Sequence, residues 1–485
     1  MEIKKWSKDN WEFLCIISIA IAIRFYYFWV TKIQPLWWDE AGYMAVAKSW
    51  AGLLSYPLES IRTPIYPWVM SFFFRLGETP EPIMRFVSLF IPSIILLILT
   101  YLCIREMYSN KWVAIISVGI MSVLWECLFY SNRFQTDIPA LIFELMAIWI
   151  LFKCYVKKED LWIIKAKYSL FWVGIFSSIS IGFRPGDIMF VVAIIIFILI
   201  LNWKWLCTSI GTTFMIANAI GILLIMYFYN NIPFLSALVS QYYKANDPIS
   251  FAVLNSFSGF YLGSIFFYLF LIGCIYLLFN LFLKYDQEDY EINADRFNYI
   301  LIIVTLCFFI FGLRAQTYEF RWLFVMLPAI LAITGNGITQ FFEVVCRYNK
   351  ILISICIVVV LAFGMYSQLT YSDNIIKNKV NSYSEIKEAG LWIKNNSVSS
   401  DIIISMSTPQ IAYYSERSTY NLQSSKEEFN KFFLDKNPKY ILVSIFEQHP
   451  TWTNDWLNEH KDILNPVKMI NQGSTPILII YEVKR

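Results

Sequence analysis

Eleven long apolar stretches constrain the fold of this chain more than any other feature of its sequence. A helix needs about 17–25 apolar residues to cross the roughly 30 Å hydrocarbon core of a bilayer. Only 15% of the 485 residues are charged, against roughly 25% in soluble proteins. The sequence therefore predicts an all-α polytopic membrane protein with about eleven transmembrane helices. The predicted spans are 12–31, 83–104, 112–130, 138–156, 168–183, 187–203, 207–229, 259–283, 298–313, 321–341 and 351–371.

The basic residues of the short loops predict the orientation of these spans. Cytoplasmic loops are enriched in Lys and Arg. When the N-terminus is placed inside, the basic loops fall on the cytoplasmic side, including five lysines within 153–167. An odd number of spans then places the tail outside. We expect a multi-pass protein of the plasma (cytoplasmic) membrane with an inner N-terminus and an outer C-terminal domain.

Two domains are predicted, a transmembrane domain at 1–371 and an extracytoplasmic domain at 372–485. The tail has helical periodicity at 384–396 and 425–435 and strand-like runs at 401–405, 439–446 and 476–483, which together indicate a small α/β domain. In the first outer loop, the spacing of apolar residues at 39–54 and 65–76 predicts two interfacial helices.

Charge and cysteine content exclude two classes of protein. The net charge of +3 gives no basic stripe for binding nucleic acid. All nine cysteines lie between Cys15 and Cys356, inside or beside apolar segments, which argues against a disulfide framework. Both histidines, His449 and His460, lie in the tail without carboxylates or cysteines at metal-ligand spacing, so we expect solvated surface residues.

The adjacent acids Asp39 and Glu40 are the most informative residues of the first outer loop. They follow two tryptophans just beyond the first span, at the depth of the lipid headgroups. A neighbouring like charge raises the pKa of one carboxyl group, which would help it act as a general base. Alternatively, Asp39 caps the interfacial helix and Glu40 lies favourably in its first turn.

A second acidic position, Asp137, stands at the outer mouth of the fourth span. Thr136 or Asp137 could simply cap the helix that follows, because Pro139 is typical of a first turn. Glu144 lies two turns further on the same face, where a carboxyl group must face protein or a watery cavity. Arg24 in the first span is one possible partner for Glu144.

Two arginines at the predicted outer face are candidates for binding a lipid phosphate. Arg62 ends the first outer loop, and Arg184 stands in the turn before Pro185. The guanidinium fork can bind phosphate through two parallel hydrogen bonds. Arg184 could instead be an ordinary contact to a lipid headgroup.

These motifs, in this order and on this side, resemble the GT-C superfamily of polyprenyl-phosphate-sugar-dependent glycosyltransferases. Protein O-mannosyltransferases and lipid A aminoarabinose transferases are its well-known members. The resemblance covers about 10–371. This chain departs from the family pattern after the acidic pair. Some relatives have Arg there, whereas this chain has Ala41 and Gly42. The matching motifs are Asp39-Glu40, Arg62-Thr63-Pro64-Ile65-Tyr66, Thr136-Asp137-Ile138-Pro139 and Tyr318-Glu319-Phe320-Arg321-Trp322.

The resemblance implies a role for each matching residue. Asp39 corresponds to the catalytic acid of the first loop, Glu40 to its neighbour and Asp137 to the second essential acid. Arg62 corresponds to the basic residue that contacts the donor phosphate, and Tyr66 belongs to the same motif. Asp39, Glu40 and Asp137 are therefore the predicted catalytic residues, and the predicted donor-phosphate site consists of Arg62, Tyr66 and Arg184.

The implied reaction is transfer of a hexosyl or pentosyl group from a polyprenyl-phosphate sugar to an acceptor on the outer face. The polyprenyl phosphate is already a good leaving group, so one base, Asp39, and direct displacement imply inversion. The acceptor is a glycan, a lipid or a protein. A divalent metal held by Asp39 and Asp137 is possible, although no metal motif is present.

Two other functions remain open from the sequence. A transporter or flippase of lipid-linked sugars would also have many spans and polar residues facing a cavity. Transporters tend to show repeated halves with sites near the membrane midplane, whereas this chain shows no internal repeat and its acids cluster at the predicted outer mouth. A non-catalytic membrane scaffold would be favoured if the acids were only helix caps.

Overall fold

The computed structural model describes residues 6, 8–58, 62–77, 79–202, 209–228, 248–256, 261–284, 289–314, 319–345 and 350–484. The segment 230–258, between the predicted spans 207–229 and 259–283, lies largely outside these ranges. In the described residues, the membrane part is helical. Its helices are α1 (Trp11–Thr31), α2 (Trp38–Trp50), α3 (Ile65–Arg75), α4 (Glu81–Met107), α5 (Lys111–Val123), α6 (Trp125–Tyr130), α7 (Asp137–Val156), α8 (Ala166–Phe183), α9 (Pro185–Leu201), α10 (Ser209–Phe228), α11 (Ala252–Ser256), α12 (Gly263–Leu283), α13 (Tyr290–Leu313), α14 (Phe320–Val345) and α15 (Lys350–Lys379).

Ten of the eleven predicted spans each coincide with a single helix over their described residues, and the all-helical membrane architecture is confirmed. In the described part of the chain, eight helices are long and apolar enough to cross a membrane, namely α1, α4, α7, α8, α12, α13, α14 and α15. Helices α5 and α9 are apolar but shorter. The chain is a multi-pass membrane protein, and the exact number of eleven crossings stays a prediction.

The predicted span at 112–130 is divided between α5 and α6. Leu124 leaves the helical conformation, with φ −55° and ψ 125°. The backbone N–H of Trp125 donates instead to Oε1 of Gln368 in α15, at 3.0 Å. A side chain from a distant helix therefore satisfies the N–H group that the break leaves free, a contact that sequence periodicity does not reveal.

Both helices of the first outer loop form, but they have different surroundings. Helix α3 keeps an exposed apolar face with Trp68 and Phe72, as an interfacial helix should. Helix α2 does not lie free on a membrane surface, because its residues from Glu40 to Lys48 are all buried. It packs against α3 on one side and against the C-terminal domain on another.

The C-terminal domain is the predicted small α/β unit, built on a five-stranded sheet of order β2-β1-β3-β5-β4. Strands β1, β2 and β3 are parallel, whereas β5 is antiparallel to both β3 and β4. The elements are α16 (Ser384–Asn396), β1 (Ile402–Ser405), α17 (Thr408–Ser415), β2 (Ser418–Tyr420), α18 (Lys426–Lys436), β3 (Tyr440–Ser444), α19 (Thr453–Glu459), β4 (Leu464–Gln472) and β5 (Thr475–Val483).

The sequence missed four elements of this domain: β2, β4, α17 and α19. Strand β4 lies at the sheet edge and is largely exposed, so it lacks the apolar alternation of a half-buried strand. Helix α15 also continues beyond the predicted domain boundary at 371, as far as Lys379.

Contacts from α17 hold the C-terminal domain against α2. The backbone N–H of Leu36 donates to the hydroxyl group of Tyr414 at 2.8 Å. Nζ of Lys48 donates to the carbonyl oxygen of Tyr413 at 2.9 Å and pairs with Glu416 at 2.7 Å. The first loop and the C-terminal domain therefore lie at the same end of the helical bundle.

Candidate active site

The first turn of α2 directs the two adjacent acids to different places. Glu40 is fully buried and accepts hydrogen bonds from the backbone N–H groups of Trp37 at 2.9 Å and Phe134 at 2.8 Å. It also pairs with Arg133 at 3.1 Å. Glu40 therefore caps α2 and ties it to the loop before α7. Glu40 does not line the cavity described below. Its surroundings therefore do not support the predicted catalytic role.

Asp39, one residue earlier, faces the cavity with 39% of its side chain exposed. Its two carboxylate oxygens pair with Arg62 at 3.2 Å and Arg321 at 2.8 Å. Burial alone would raise the pKa of Asp39, but the charges of Arg321 and Arg62 outweigh it and hold the pKa below its ordinary value. The sequence interpretation, in which a neighbouring acid raises the pKa, has the wrong sign for Asp39.

Arg62 reaches Asp39 through space left by a glycine. A Cβ atom on Gly42 would lie 2.6 Å from Nε of Arg62, closer than van der Waals contact permits. The guanidinium group also lies over the ring of Tyr43, with Cζ 5.2 Å from the ring centre. Gly42, which marked a departure from the family pattern, is thus what allows Arg62 to lie against α2.

Asp137 and Arg184 meet on the other side of the cavity. Asp137 begins α7, and Arg184 stands between α8 and α9 with Nη1 3.5 Å from Oδ1 of Asp137. Thr136 occupies the N-cap position, but its side chain makes no capping hydrogen bond. Asp137 therefore directs its carboxylate to the cavity arginines, which disfavours the interpretation of this segment as a simple cap.

Arg321 connects the two acidic positions, a role that sequence reasoning did not assign. It lies 2.8 Å from Asp39 and 3.8 Å from Asp137, and it donates to Oε1 of Gln135 at 2.7 Å. A further contact is made with Glu319. One sequence feature could have revealed this role. Arg321 lies in the first turn of an apolar span, inside a segment that resembles the family.

Tyr66 lies behind the cavity wall. It is only 2% exposed, and its ring packs edge-on against Tyr43 and Phe183 at centroid distances of 5.6 and 6.4 Å. The structure thus brings Asp39, Arg62, Asp137 and Arg184 together, while Tyr66 and Glu40 support the walls around them.

The cavity between these groups has a volume of about 280 Å³ and is lined by two kinds of side chain. The charged ones are the arginines and aspartates, together with Asp187 and Glu319. The others are apolar, and some of them come from the π-helical final turn of α13, Phe308–Leu313. Such turns often occur at functional sites. The apolar lining residues are Phe183, Met189, Phe308, Phe309, Leu313, Trp322 and Val325.

The proposed metal ligands, Asp39 and Asp137, do not form a cation site in this arrangement. The guanidinium group of Arg321 contacts both of them and supplies the positive charge there. Over the described ranges, no three His, Cys, Asp or Glu side chains converge as metal ligands would. We therefore assign no step of the reaction to a metal.

Comparison with known proteins shows which fold this chain shares. A model of the dolichyl-phosphate-mannose-protein mannosyltransferase family matches residues 61–229. The structure of ArnT from Cupriavidus metallidurans bound to undecaprenyl phosphate superimposes with a TM-score of 0.62 at 11% identity, covering 97% of this chain and 98% of ArnT. This chain is a membrane protein that shares the fold of ArnT.

Two other solved GT-C structures agree with that assignment. The archaeal oligosaccharyltransferase AglB from Archaeoglobus fulgidus, in complex with an inhibitory peptide and a dolichol-phosphate, gives a TM-score of 0.61 at 12% identity. The match covers 91% of this chain and 70% of AglB. The mycobacterial arabinofuranosyltransferase AftD gives 0.59 at 10% identity, covering 97% of this chain and 40% of AftD. No curated protein matches by sequence.

Proposed function

We propose that this protein transfers a sugar from a polyprenyl-phosphate donor to an acceptor hydroxyl group on the extracytoplasmic face of the membrane. The transfer inverts the anomeric carbon. The observation that carries the proposal is a cavity lined by both charged and apolar side chains. Three arginines and Asp39 face it, and its apolar residues come from membrane helices such as α13 and α14. This pairing suits a phosphate attached to an isoprenoid chain.

The donor phosphate would bind among Arg62, Arg184 and Arg321. All three guanidinium groups already engage carboxylates, so an incoming phosphodiester would compete with Asp39 and Asp137 for them. Guanidinium groups suit this exchange because their forked donors bind carboxylate and phosphate alike. The ArnT structure with undecaprenyl phosphate and the AglB structure with dolichol-phosphate support the ligand class.

In the proposed reaction, Asp39 removes the acceptor proton as the hydroxyl oxygen attacks the anomeric carbon. The bond from that carbon to the phosphate oxygen breaks, and the electron pair leaves with the polyprenyl phosphate. The arginines stabilise the negative charge that develops there. Arg321 and Arg62 hold the pKa of Asp39 low in the free protein, so it is ionised near neutral pH, and this pKa would rise as the phosphate draws the two arginines away. No general acid is required, since the phosphate is a good leaving group.

The acceptor we propose is an envelope lipid, a polysaccharide or a protein. Helix α2, which carries Asp39, is buried beneath α17 of the C-terminal domain. An acceptor must therefore approach beside this domain.

The proposal is tested by comparing two adjacent acidic substitutions. Asp39→Asn keeps the shape but removes the proton acceptor, so turnover with a purified polyprenyl-phosphate sugar should fall at least about 100-fold while the fold is retained. Glu40→Gln is the matched control. It should chiefly lower stability, by on the order of 3 kcal/mol, because Arg133 loses its buried partner.

Turnover and thermal unfolding should be measured for both proteins in the same lipid nanodiscs. Near-normal transfer by Asp39→Asn would show that the base lies elsewhere. Loss of folding in Asp39→Asn, rather than loss of turnover alone, would make Asp39 a structural residue.

A further inference from the structure

A buried pair of acids adjoins the cavity. Glu144 in α7 and Asp187 at the start of α9 are each 1% exposed. Oγ of Ser180 lies within hydrogen-bonding distance of both Asp187 and the carbonyl oxygen of Ala140, one helical turn before Glu144, which brings the two acids side by side. The sequence suggested Arg24 as the partner of Glu144, but Arg24 donates to the carbonyl oxygen of Ser122 at 3.0 Å. Asp187 lines the cavity, so the pair adjoins the proposed donor site.

The hydrogen bonding of the pair requires a proton. Oδ2 of Asp187 accepts from Oγ of Ser180 at 2.6 Å. Oδ1 of Asp187 and Oε1 of Glu144 are buried and have no donor among the described groups. Two ionised carboxylates can only accept hydrogen bonds and repel each other strongly when buried. One proton on the pair would supply the missing donor and leave the pair with a single negative charge.

The charges that face the pair come from the cavity. Nε of Arg184 lies 3.8 Å from Oδ1 of Asp187, and Asp137 is the other acidic neighbour. Arg184 also contacts Asp137, which in turn contacts Arg321. Arg321 also pairs with Glu319, so the described carboxylates around the three arginines already match their positive charge. A bound phosphodiester would add a further negative charge to this group.

We propose that the Glu144–Asp187 pair takes up a second proton from solvent when the anionic donor binds, which frees Arg184 from Asp187 to bind the phosphate. This inference rests on the proposed function, because it takes the cavity as the site of the donor phosphate. The pair passes from one negative charge to none, and Arg184 keeps its charge but changes partner. Binding coupled to proton uptake weakens as pH rises.

The experiment uses farnesyl methyl phosphate, a diester with an isoprenoid chain and one negative charge that does not titrate near neutral pH. Its affinity for the full-length protein in nanodiscs is measured by calorimetry across pH, in buffers with different ionisation enthalpies. In the wild type, the dissociation constant should rise by up to about tenfold per pH unit while proton uptake approaches one per ligand.

Two single substitutions should move the affinity in opposite directions. Asp187→Asn removes the carboxylate that competes for Arg184, so binding should be tight at every pH and match the low-pH limit of the wild type. Glu144→Gln fixes the negative charge on Asp187, so binding should stay at the weak, high-pH limit. Asp295→Asn is a control. Asp295 is also buried, but Tyr108 and Asn280 already hydrogen-bond to it, and this variant should keep the wild-type pH dependence.

The possible outcomes separate this inference from the proposed function. Wild-type binding that is independent of pH and takes up no proton overturns the inference, as does equal weakening by Asp187→Asn and Glu144→Gln. Arg62→Ala reports on the donor site itself. If Arg62→Ala binds the diester as well as wild type, the assignment of Arg62 is wrong even where the pair behaves as expected. If the wild type fails to bind it, both proposals fall.

Discussion

At the scale of single residues, the protonation of Asp39 depends on two arginines that lie far from it in the sequence. Arg321 lowers the pKa of Asp39 more strongly than Arg62 does, and burial opposes both. A base works only when deprotonated, so activity should be lost as pH falls through this pKa. In Arg321→Gln the pKa should rise, and the acidic limb of the profile of kcat/KM against pH should move up by about one unit.

Arg321→Lys is the control for this prediction, because it keeps the positive charge without the guanidinium fork. Its acidic limb should stay close to that of the wild type, even though its turnover falls. An acidic limb that Arg321→Gln leaves unmoved would mean that a group other than Asp39 titrates in the profile.

At the scale of elements, α2 serves the site through one face. Its first turn carries Asp39 towards the cavity, while Gly42 leaves room for Arg62. Gly42→Ala should displace the guanidinium group of Arg62 yet retain the fold, because alanine favours helix by about 1 kcal/mol over glycine. We expect weaker binding of farnesyl methyl phosphate with an unchanged or higher melting temperature.

A double-mutant cycle identifies the cause of this effect. If Gly42→Ala acts only by displacing Arg62, adding it to Arg62→Ala should weaken binding no further. Additive losses would instead indicate that Gly42 matters for another contact of α2.

At the scale of the whole molecule, the C-terminal domain and the first loop must share one side of the membrane. The reason is that α17 is hydrogen-bonded to Leu36 and to Lys48 of α2. The distribution of Lys and Arg predicts that this side is the outside. Single cysteines at positions 395 and 53, in a background without the native cysteines, should react with an impermeant thiol reagent in intact cells. A cysteine at position 158 should react only after permeabilisation. Labelling of 158 and 395 from the same side would contradict the predicted topology.

The sequence by itself determined the helical membrane architecture, the α/β tail and most charged residues of the candidate site. Length, apolar periodicity and the positions of polar residues at span ends are local properties, so they can be read without a structure. Asp39, Arg62, Asp137 and Arg184 were found in this way.

Only the tertiary structure decided how the charged groups are paired. Successive residues of a helix point about 100° apart, so the neighbours Asp39 and Glu40 separate into a cavity-facing acid and a buried cap. Arg321 meets Asp39 across 282 positions of sequence, and Glu144 meets Asp187 rather than Arg24. Such partners follow from how the helices pack, because electrostatic contacts depend on distance in space and not along the chain.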